Sequence, residues 1–224
     1  MAISGLIFDF DGTLAELNID FAAMRAEVEA LARSLGYTAP WPRDGYLLEQ
    51  VAAVSAHLNA QFSRKAHEII IAREMAAAGE GRLFPFSLAL LRNLRELGLE
   101  VAIISRNCGA AIRRVFPQVD SLCRVFLPRE AVPRPKPDPD HVRVALTAMG
   151  LAPGQTAVVG DHPLDVSAAL AAGCLAVGVA SGRIKAPDLA AAGAQVVLAD
   201  ASGLIAALGL HGAVKMATGL NSPV

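Results

Sequence analysis

The stretch ISGLIFDFDGTL, residues 3–14, carries the strongest structural signal in the chain. Its apolar run predicts a buried β-strand, and Gly12 permits a sharp turn directly after it. Because side chains alternate along an extended chain, Asp9 and Asp11 point to the same side at the exit of the strand. Two carboxylates placed so closely repel each other unless one binds a proton or a cation lies between them. A divalent hard cation is the natural solution, and two incidental aspartates in a solvated turn are the alternative.

Short apolar strands alternate with helical stretches along most of the chain. The predicted strands are rich in Val, Ile, Leu and Phe: Ile3–Phe10, Val101–Ser105, Arg124–Leu127, Thr156–Gly160, Leu175–Val179 and Gln195–Leu198. The predicted helices, several of which begin at Pro and end at Gly, are Pro85–Gly98, Gly109–Phe116, Pro139–Gly150, Pro163–Gly173 and Ala186–Gly193. This alternation predicts an α/β fold, a Rossmann-like doubly wound parallel sheet with helices on both faces.

One block interrupts the alternation directly after the first strand. It contains no convincing strand, and its helical patterns are Phe21–Leu35 and Tyr46–Ala78, separated by a Pro-rich turn at Pro40–Asp44. The second pattern is long enough to break into two helices. The predicted units are a discontinuous core at 1–14 and 84–210, a small α-helical cap domain at 15–83 and a loose tail at 211–224. A cap inserted at this point could cover the carboxyl edge of the sheet.

Composition and charge narrow the class of protein. The 224 residues hold 20 Lys and Arg against 21 Asp and Glu, without the basic excess typical of nucleic-acid-binding proteins. The longest apolar runs, such as Val101–Ile104, are far shorter than the roughly 20 residues that span a bilayer. The N-terminus lacks the pattern of an export signal, and three widely spaced cysteines predict neither a disulfide framework nor a zinc site. We therefore expect a cytoplasmic protein with no nucleic-acid or membrane partner.

Two further segments place polar groups where an anion could bind. The predicted strand that ends at Ser105 is followed by Arg106 and Asn107, and a hydroxyl with the next backbone N–H groups makes an anion cradle. Ser at a strand end is also common turn chemistry. The segment RPKPDP, residues 134–139, surrounds Lys136 with prolines that stiffen the backbone and aim the side chain. A surface-loop lysine is the alternative interpretation.

The segment GDHPLD, residues 160–165, adds Asp161 and Asp165 after another predicted strand. The carboxyl ends of parallel strands open at one edge of a sheet, where ligands bind. Residues far apart in sequence should therefore converge there: Asp9, Asp11, Ser105, Asp161 and Asp165, with Lys136 reaching in from a loop. Four acids around one cation, with one lysine, suit an assembly of Mg²⁺ and a phosphate group.

Together these segments resemble the four motifs of the haloacid dehalogenase (HAD) superfamily. FDFDGTL at 8–14, the strand end at Ser105, Lys136 and GDHPLD at 160–165 occur in the family's order and in matching strand contexts. The helical block at 15–83 resembles the family's type 1 cap, as in phosphoglycolate phosphatase-like members. The resemblance implies a Mg²⁺-dependent phosphatase that acts on a small phosphorylated metabolite.

The resemblance also implies a role for each matching residue. Asp9 would attack phosphorus and form an aspartyl-phosphate, and Asp11 would act as general acid and then general base. The phosphoryl oxygens would be held by Ser105 and Lys136. From their position after Ser105, we expect Arg106 and Asn107 to offer backbone N–H groups to the same oxygens. The implied Mg²⁺ ligands are Asp9, the backbone carbonyl of Asp11, Asp161 and, assisting, Asp165.

Three questions stay open at this level. Asp11 argues against dehalogenases and phosphonoacetaldehyde hydrolases, which lack an acid there, but sugar-phosphate mutases retain the whole set. A non-catalytic binding or regulatory protein on the same fold is the other alternative. The cap determines the substrate, and its sequence carries no readable code. Trp41, Arg43 and Tyr46 flank its Pro-rich turn, where they could either reach the site or form a stabilising aromatic cluster.

Overall fold

The computed structural model describes residues 2–210 and contains one large parallel sheet. The strands are β1 (Gly5–Phe8), β2 (Ala15–Glu16), β3 (Arg82–Leu83), β4 (Glu100–Ile104), β5 (Val125–Leu127), β6 (Thr156–Gly160), β7 (Leu175–Val179) and β8 (Val196–Leu198). Strands β2 and β3 are not part of the large sheet and pair with each other. Six strands pair in parallel in the spatial order β5-β4-β1-β6-β7-β8. The predicted α/β parallel sheet is confirmed, with β1 in the middle.

The sheet is buried on both faces, which explains the continuous apolar runs of its strands. In β1, Leu6 and Phe8 belong to one buried apolar cluster, and Ile7 belongs to a second cluster on the other face. All three side chains are fully buried. Burial of such a side chain stabilises the fold by about 1.5–3 kcal/mol. The strand that carries the two aspartates is thus anchored from both sides.

The helices follow the predicted pattern with small changes at their ends. They are α1 (Phe21–Ser34), α2 (Leu47–Ser55), α3 (Ala60–Glu80), α4 (Ser87–Glu96), α5 (Gly109–Val115), α6 (Val119–Leu122), α7 (Asp140–Met149), α8 (Pro163–Ala172), α9 (Ala186–Ala191) and α10 (Leu204–Ala207). Helices α7 and α8 end at Gly150 and Gly173, whose φ angles of 69° and 80° form left-handed caps. Helices α6 and α10 were not predicted, since four residues are too few to show a period.

Residues 15–83, which we call the helical insert, contain α1, α2 and α3. The long pattern at Tyr46–Ala78 breaks in two as predicted, because Asn59 caps α3 by accepting hydrogen bonds from the N–H groups of Gln61 and Phe62. Phe62 also belongs to the same buried cluster as Leu6 of the sheet. The insert and the sheet therefore share one continuous apolar cluster, and α3 packs against α5.

The prediction that residues 15–83 contain no strand was wrong at both ends of the insert. Strands β2 and β3 pair antiparallel, with Ala15 opposite Leu83 and Glu16 opposite Arg82. A two-residue strand shows no alternation, so the sequence carried no signal for it. This pairing holds the two connections of the insert side by side.

Two sequence predictions keep their status as predictions. The division into a core at 1–14 and 84–210 and a separate cap domain at 15–83 is one, and the loose tail at 211–224 lies outside the described residues. Within residues 2–210, the structure contains no helix that combines the length and the hydropathy needed to cross a bilayer.

Candidate active site

The polar residues that follow β1 and β6 meet at the carboxyl edge of the sheet. The N–H of Asp9 donates to Val159 O at 2.8 Å, so the chain stays in register as it leaves β1. One carboxylate oxygen from each of Asp9, Asp161 and Asp165 lies within 4.8 Å of the others. Lys136 Nζ donates to Asp9 Oδ1 at 2.7 Å and forms an ion pair with Asp165. Four of the six residues that the sequence predicts to converge thus lie together, with Lys136 in contact with Asp9 and Asp165.

Lys136 is held in place by a histidine that sequence reasoning missed. The Lys136 N–H donates to His141 Nδ1 at 3.2 Å, so the proton of the neutral ring is on Nε2, which donates to Leu127 O at 3.0 Å. Burial and the nearby charge of Lys136 lower the pKa of His141 to about 3. The imidazole therefore stays neutral and fixes the backbone at Lys136. The only sequence signal was its place five residues after the lysine.

Burial and mutual repulsion dominate the electrostatics of the carboxylates. Burial raises the pKa of Asp9, which the charge of Lys136 opposes, and burial together with Asp9 and Asp165 raises the pKa of Asp161. Burial alone would lower the pKa of Lys136, but the two aspartates that it contacts raise it above its ordinary value. One lysine leaves the group with an excess of negative charge, a situation that a divalent cation relieves.

The space around these carboxylates fits a small hard cation. All the clustered donors are carboxylate oxygens, the ligands that Mg²⁺ prefers. Two glycines keep room around Asp161: a Cβ at Gly12, where φ is +85°, would lie 2.3 Å from Asp161 Oδ2, and one at Gly182 would lie 1.8 Å from the same atom. Larger residues at either position would displace the carboxylate. The residues present therefore fit Mg²⁺.

Asp11 lies beside this group with its carboxylate turned to the following turn. Its Oδ1 accepts from the N–H of Leu17 at 3.0 Å, and the turn closes through a hydrogen bond from Gly12 N–H to Ala15 O at 2.7 Å. Burial raises the pKa of Asp11 to about 6. The clustered carboxylates do not include that of Asp11; its predicted metal ligand is the backbone carbonyl, and this stays a prediction.

The loop after β4 folds around Ser105. The hydroxyl of Ser105 donates to Asn107 Oδ1 and accepts from Asn107 N–H, both at 3.1 Å. The guanidinium of Arg106 forms two parallel hydrogen bonds to the carboxylate of Glu49 in α2, at 2.8 and 2.9 Å. The predicted phosphate contacts of Ser105 and Arg106 stay predictions, and the side chain of Arg106 links this loop to the helical insert.

A buried ion pair braces the same loop from the other side. Glu74 of α3 pairs with Arg129, and its Oε2 accepts from Cys108 N–H at 3.0 Å. Arg129 Nη1 also donates to Arg106 O at 2.9 Å. Sequence reasoning missed both residues, because a lone Glu in a helix and a lone Arg 55 residues away give no local signal. The helical insert therefore positions the loop that carries Ser105.

A cavity of about 390 Å³ opens between the sheet edge and α1, α2 and α3. The clustered aspartates and Lys136 are part of its lining. Tyr46 reaches it, with its ring 5.2 Å from that of His162 in an edge-on contact. Trp41 instead packs within the insert, where its Nε1 donates to Gln50 Oε1 at 3.0 Å. The cavity thus joins the acidic site to the face of the insert.

Comparison with known proteins shows the family of this chain. A model of the haloacid dehalogenase-like hydrolase family matches residues 3–173. The chain belongs to this family. Hexitol phosphatase A of Escherichia coli K12 is 30% identical over 191 residues, covering 80% of this chain and 84% of that protein. A phosphoglycolate phosphatase of Pseudomonas putida is 28% identical over 226 residues, covering 96% and 81%.

Solved structures share the fold of this family member. A hydrolase from Pseudomonas syringae superimposes with a TM-score of 0.72 at 20% identity, covering 92% of this chain and 98% of that one. A proposed β-phosphoglucomutase from Thermotoga maritima gives 0.62 at 20% identity, covering 92% and 99%. The resemblance to a HAD-superfamily phosphatase that the four motifs predicted is confirmed.

Proposed function

We propose that this chain is a Mg²⁺-dependent phosphatase that hydrolyses a small phosphate monoester in the cavity beneath the helical insert. One observation carries the proposal: Lys136 contacts both Asp9 and Asp165 at the end of the cavity where three carboxylates meet. Phosphoryl transfer needs mainly positioning and charge neutralisation, and a lysine among acids that fit a cation supplies both.

The metal would be held by Asp9, Asp161 and the backbone carbonyl of Asp11, with Asp165 assisting. Bound there, Mg²⁺ would neutralise charge on the phosphoryl oxygens and favour the ionised carboxylates. The oxygen-only donor set and the two glycines that leave room around Asp161 support this assignment.

In this proposal Asp9 forms the covalent bond to phosphorus, and Asp11 transfers the protons. The Asp9 carboxylate attacks phosphorus in line, and the bond from phosphorus to the leaving oxygen breaks as the Asp9–phosphorus bond forms. Asp11 gives its proton to the leaving oxygen. It then takes a proton from a water molecule that attacks phosphorus, which releases inorganic phosphate and restores the Asp9 carboxylate.

The phosphoryl oxygens are held by Lys136, Ser105 and the backbone N–H of Arg106. Lys136 offsets the charge that builds up during transfer, in a site that burial keeps at low dielectric. The guanidinium of Arg106 is occupied by Glu49, so its part in phosphate binding is assigned to the main chain.

The substrate is assigned only to a class, a small phosphorylated metabolite. The names of the relatives make 2-phosphoglycolate and hexitol phosphates the first compounds to test. A sugar-phosphate mutase is the second candidate, because Asp11 and the whole polar set are retained and a proposed mutase shares the fold.

The three free, buried cysteines support our assignment to the reducing cytoplasm.

Release of inorganic phosphate from a panel of monoesters, with Mg²⁺ and with EDTA, tests the proposal. We expect release that depends on Mg²⁺, and a loss of at least about 10³-fold in Asp9→Asn. Asp188→Asn, an exposed aspartate outside the cavity, is the matched control and should keep full activity. If the folded protein released no phosphate from any ester of the panel, that result would overturn the proposal. Isomerisation of a sugar phosphate without phosphate release would indicate the mutase.

A further inference from the structure

Apolar side chains, which we call the wall, make up much of the cavity lining besides the acid cluster. Seven lining residues carry aliphatic, thioether or phenyl side chains: Phe21 and Met24 of α1, Leu47 and Leu48 of α2, Ile70 of α3, Leu164 of α8 and Ile184. Five of these seven come from the helical insert. If the phosphoryl group lies against Asp9 and Lys136, the remaining room for the leaving group is lined largely by this wall.

Four charged side chains line the cavity outside the acid cluster, Asp11 and Lys136: Arg25, which is exposed, and Glu74, Arg106 and Arg183, which are engaged by other groups. Glu74 pairs with Arg129, and Arg106 pairs with Glu49. Arg183 donates to Ile19 O at 2.6 Å and stacks on the ring of Phe21. A sugar would bring several hydroxyl groups against this surface, and each buried hydroxyl without a partner costs binding energy.

Two exposed aromatic side chains at the cavity support the same conclusion. The described part of the chain leaves five large apolar side chains exposed, and two of them, Phe21 at 46% and Tyr46 at 42%, line this cavity. A leaving group with an apolar body would cover such surface and gain from its removal from water.

We infer that the site selects phosphate monoesters whose leaving group is a largely apolar alcohol, alicyclic, branched or aromatic, over esters of polyhydroxylated alcohols. The inference rests on the proposed phosphatase function, since it concerns the alcohol half of that substrate. It ranks esters of an apolar alcohol above hexose and hexitol phosphates, and above 2-phosphoglycolate, which has no apolar body.

A matched pair of substrates tests this selectivity. Cyclohexylmethyl phosphate and glucose 6-phosphate are both esters of a primary alcohol on a six-membered ring, and they differ chiefly in the ring hydroxyls. We expect kcat/KM to be at least about tenfold higher for cyclohexylmethyl phosphate, through a lower KM. Equal or lower kcat/KM with cyclohexylmethyl phosphate, while other esters are hydrolysed, would overturn the inference alone. Absence of phosphate release from every ester would instead overturn the proposed function.

Variants of the wall locate the selectivity. Phe21→Gln and Leu48→Gln keep good helix formers at exposed or half-buried positions, so folding should be preserved, as a thermal melt would verify. We expect each variant to raise the KM for cyclohexylmethyl phosphate by roughly threefold or more. Inhibition by inorganic phosphate should stay unchanged. Ile71→Gln, on the exposed side of α3 outside the cavity, is the control and should change neither. If both wall variants kept the original ratio of kcat/KM for cyclohexylmethyl phosphate to kcat/KM for glucose 6-phosphate, that result would contradict the assignment of the selectivity to this wall.

Discussion

The ion pair between Glu74 and Arg129 joins the helical insert to the loops beneath it and makes a quantitative prediction. Their side chains are only 5% and 8% exposed, and Arg129 Nη2 has no hydrogen-bond partner. Removal of either partner leaves a buried charge uncompensated, which costs about 3–5 kcal/mol. We therefore expect Glu74→Met and Arg129→Met each to lower the free energy of unfolding by that amount.

The double variant, with Glu74→Met and Arg129→Met together, shows how much of the loss of stability depends on the interaction between the two charges. With both charges gone, the remaining cost is the orphaned N–H of Cys108 and the orphaned carbonyl of Arg106, about 1–3 kcal/mol each, and each of these costs is already present in one of the single variants. The double variant should therefore be at least about 2 kcal/mol more stable than the sum of the single effects predicts. Because the pair braces the loop that carries Ser105, all three variants should also lose phosphatase activity.

Urea-induced unfolding, followed by circular dichroism at pH 7, measures these free energies. The exposed pair Arg113–Asp120, with side chains 50% and 58% exposed, is the control, and its coupling should stay below about 1 kcal/mol. Effects of Glu74→Met and Arg129→Met that add to within about 0.5 kcal/mol would refute the reasoning, because additive effects mean that the two charges do not depend on each other.

Two further predictions concern single sites. Burial holds the pKa of His141 at about 3, below its ordinary 6.5, so between these values the unfolded chain binds one more proton. The His141 contribution to the free energy of unfolding should fall as pH drops through this window, by about 2–3 kcal/mol at pH 4.5, whereas Asp9, Asp11 and Asp161, whose pKa values are raised, act in the opposite direction. His141→Gln removes only the His141 contribution, so the difference in free energy of unfolding between the two proteins should change by that amount between pH 7 and pH 4.5 in urea titrations; a constant difference would contradict it. Gly182→Ala must displace Asp161, so the Mg²⁺ concentration for half-maximal phosphate release should rise about tenfold or more. Gly203→Ala, whose Cβ would meet nothing within 4 Å, should leave that concentration unchanged, and equal requirements in both variants would count against the metal assignment.

Local sequence signals were sufficient for most of the architecture. β6 and β7 begin and end where the apolar runs predict, because a strand buried on both faces needs an unbroken apolar stretch. Helices α7 and α8 end at the predicted glycines, since a left-handed cap residue is cheap only for Gly. The convergence of Asp9 and Asp161 at one edge followed from the parallel order of the strands alone.

Contacts between distant segments could not be predicted in the same way. The strands β2 and β3 are too short to show a period, and Glu74–Arg129 and Arg106–Glu49 join residues 55 and 57 positions apart. None of these residues carries a pattern, since an ion pair between two elements depends on how the elements pack. His141 was missed for the same reason: its role depends on burial beside Lys136.

The sequence by itself determined the sheet, the acids at its carboxyl edge and the family to which they belong, because strand burial and residue spacing are local properties. Only the tertiary structure decided that Lys136 contacts both Asp9 and Asp165, that the guanidinium of Arg106 pairs with Glu49, and that apolar side chains line the same cavity as the acids. The physical reason is that charge pairing and cavity shape arise where separate elements meet, and packing alone sets which side chains meet there.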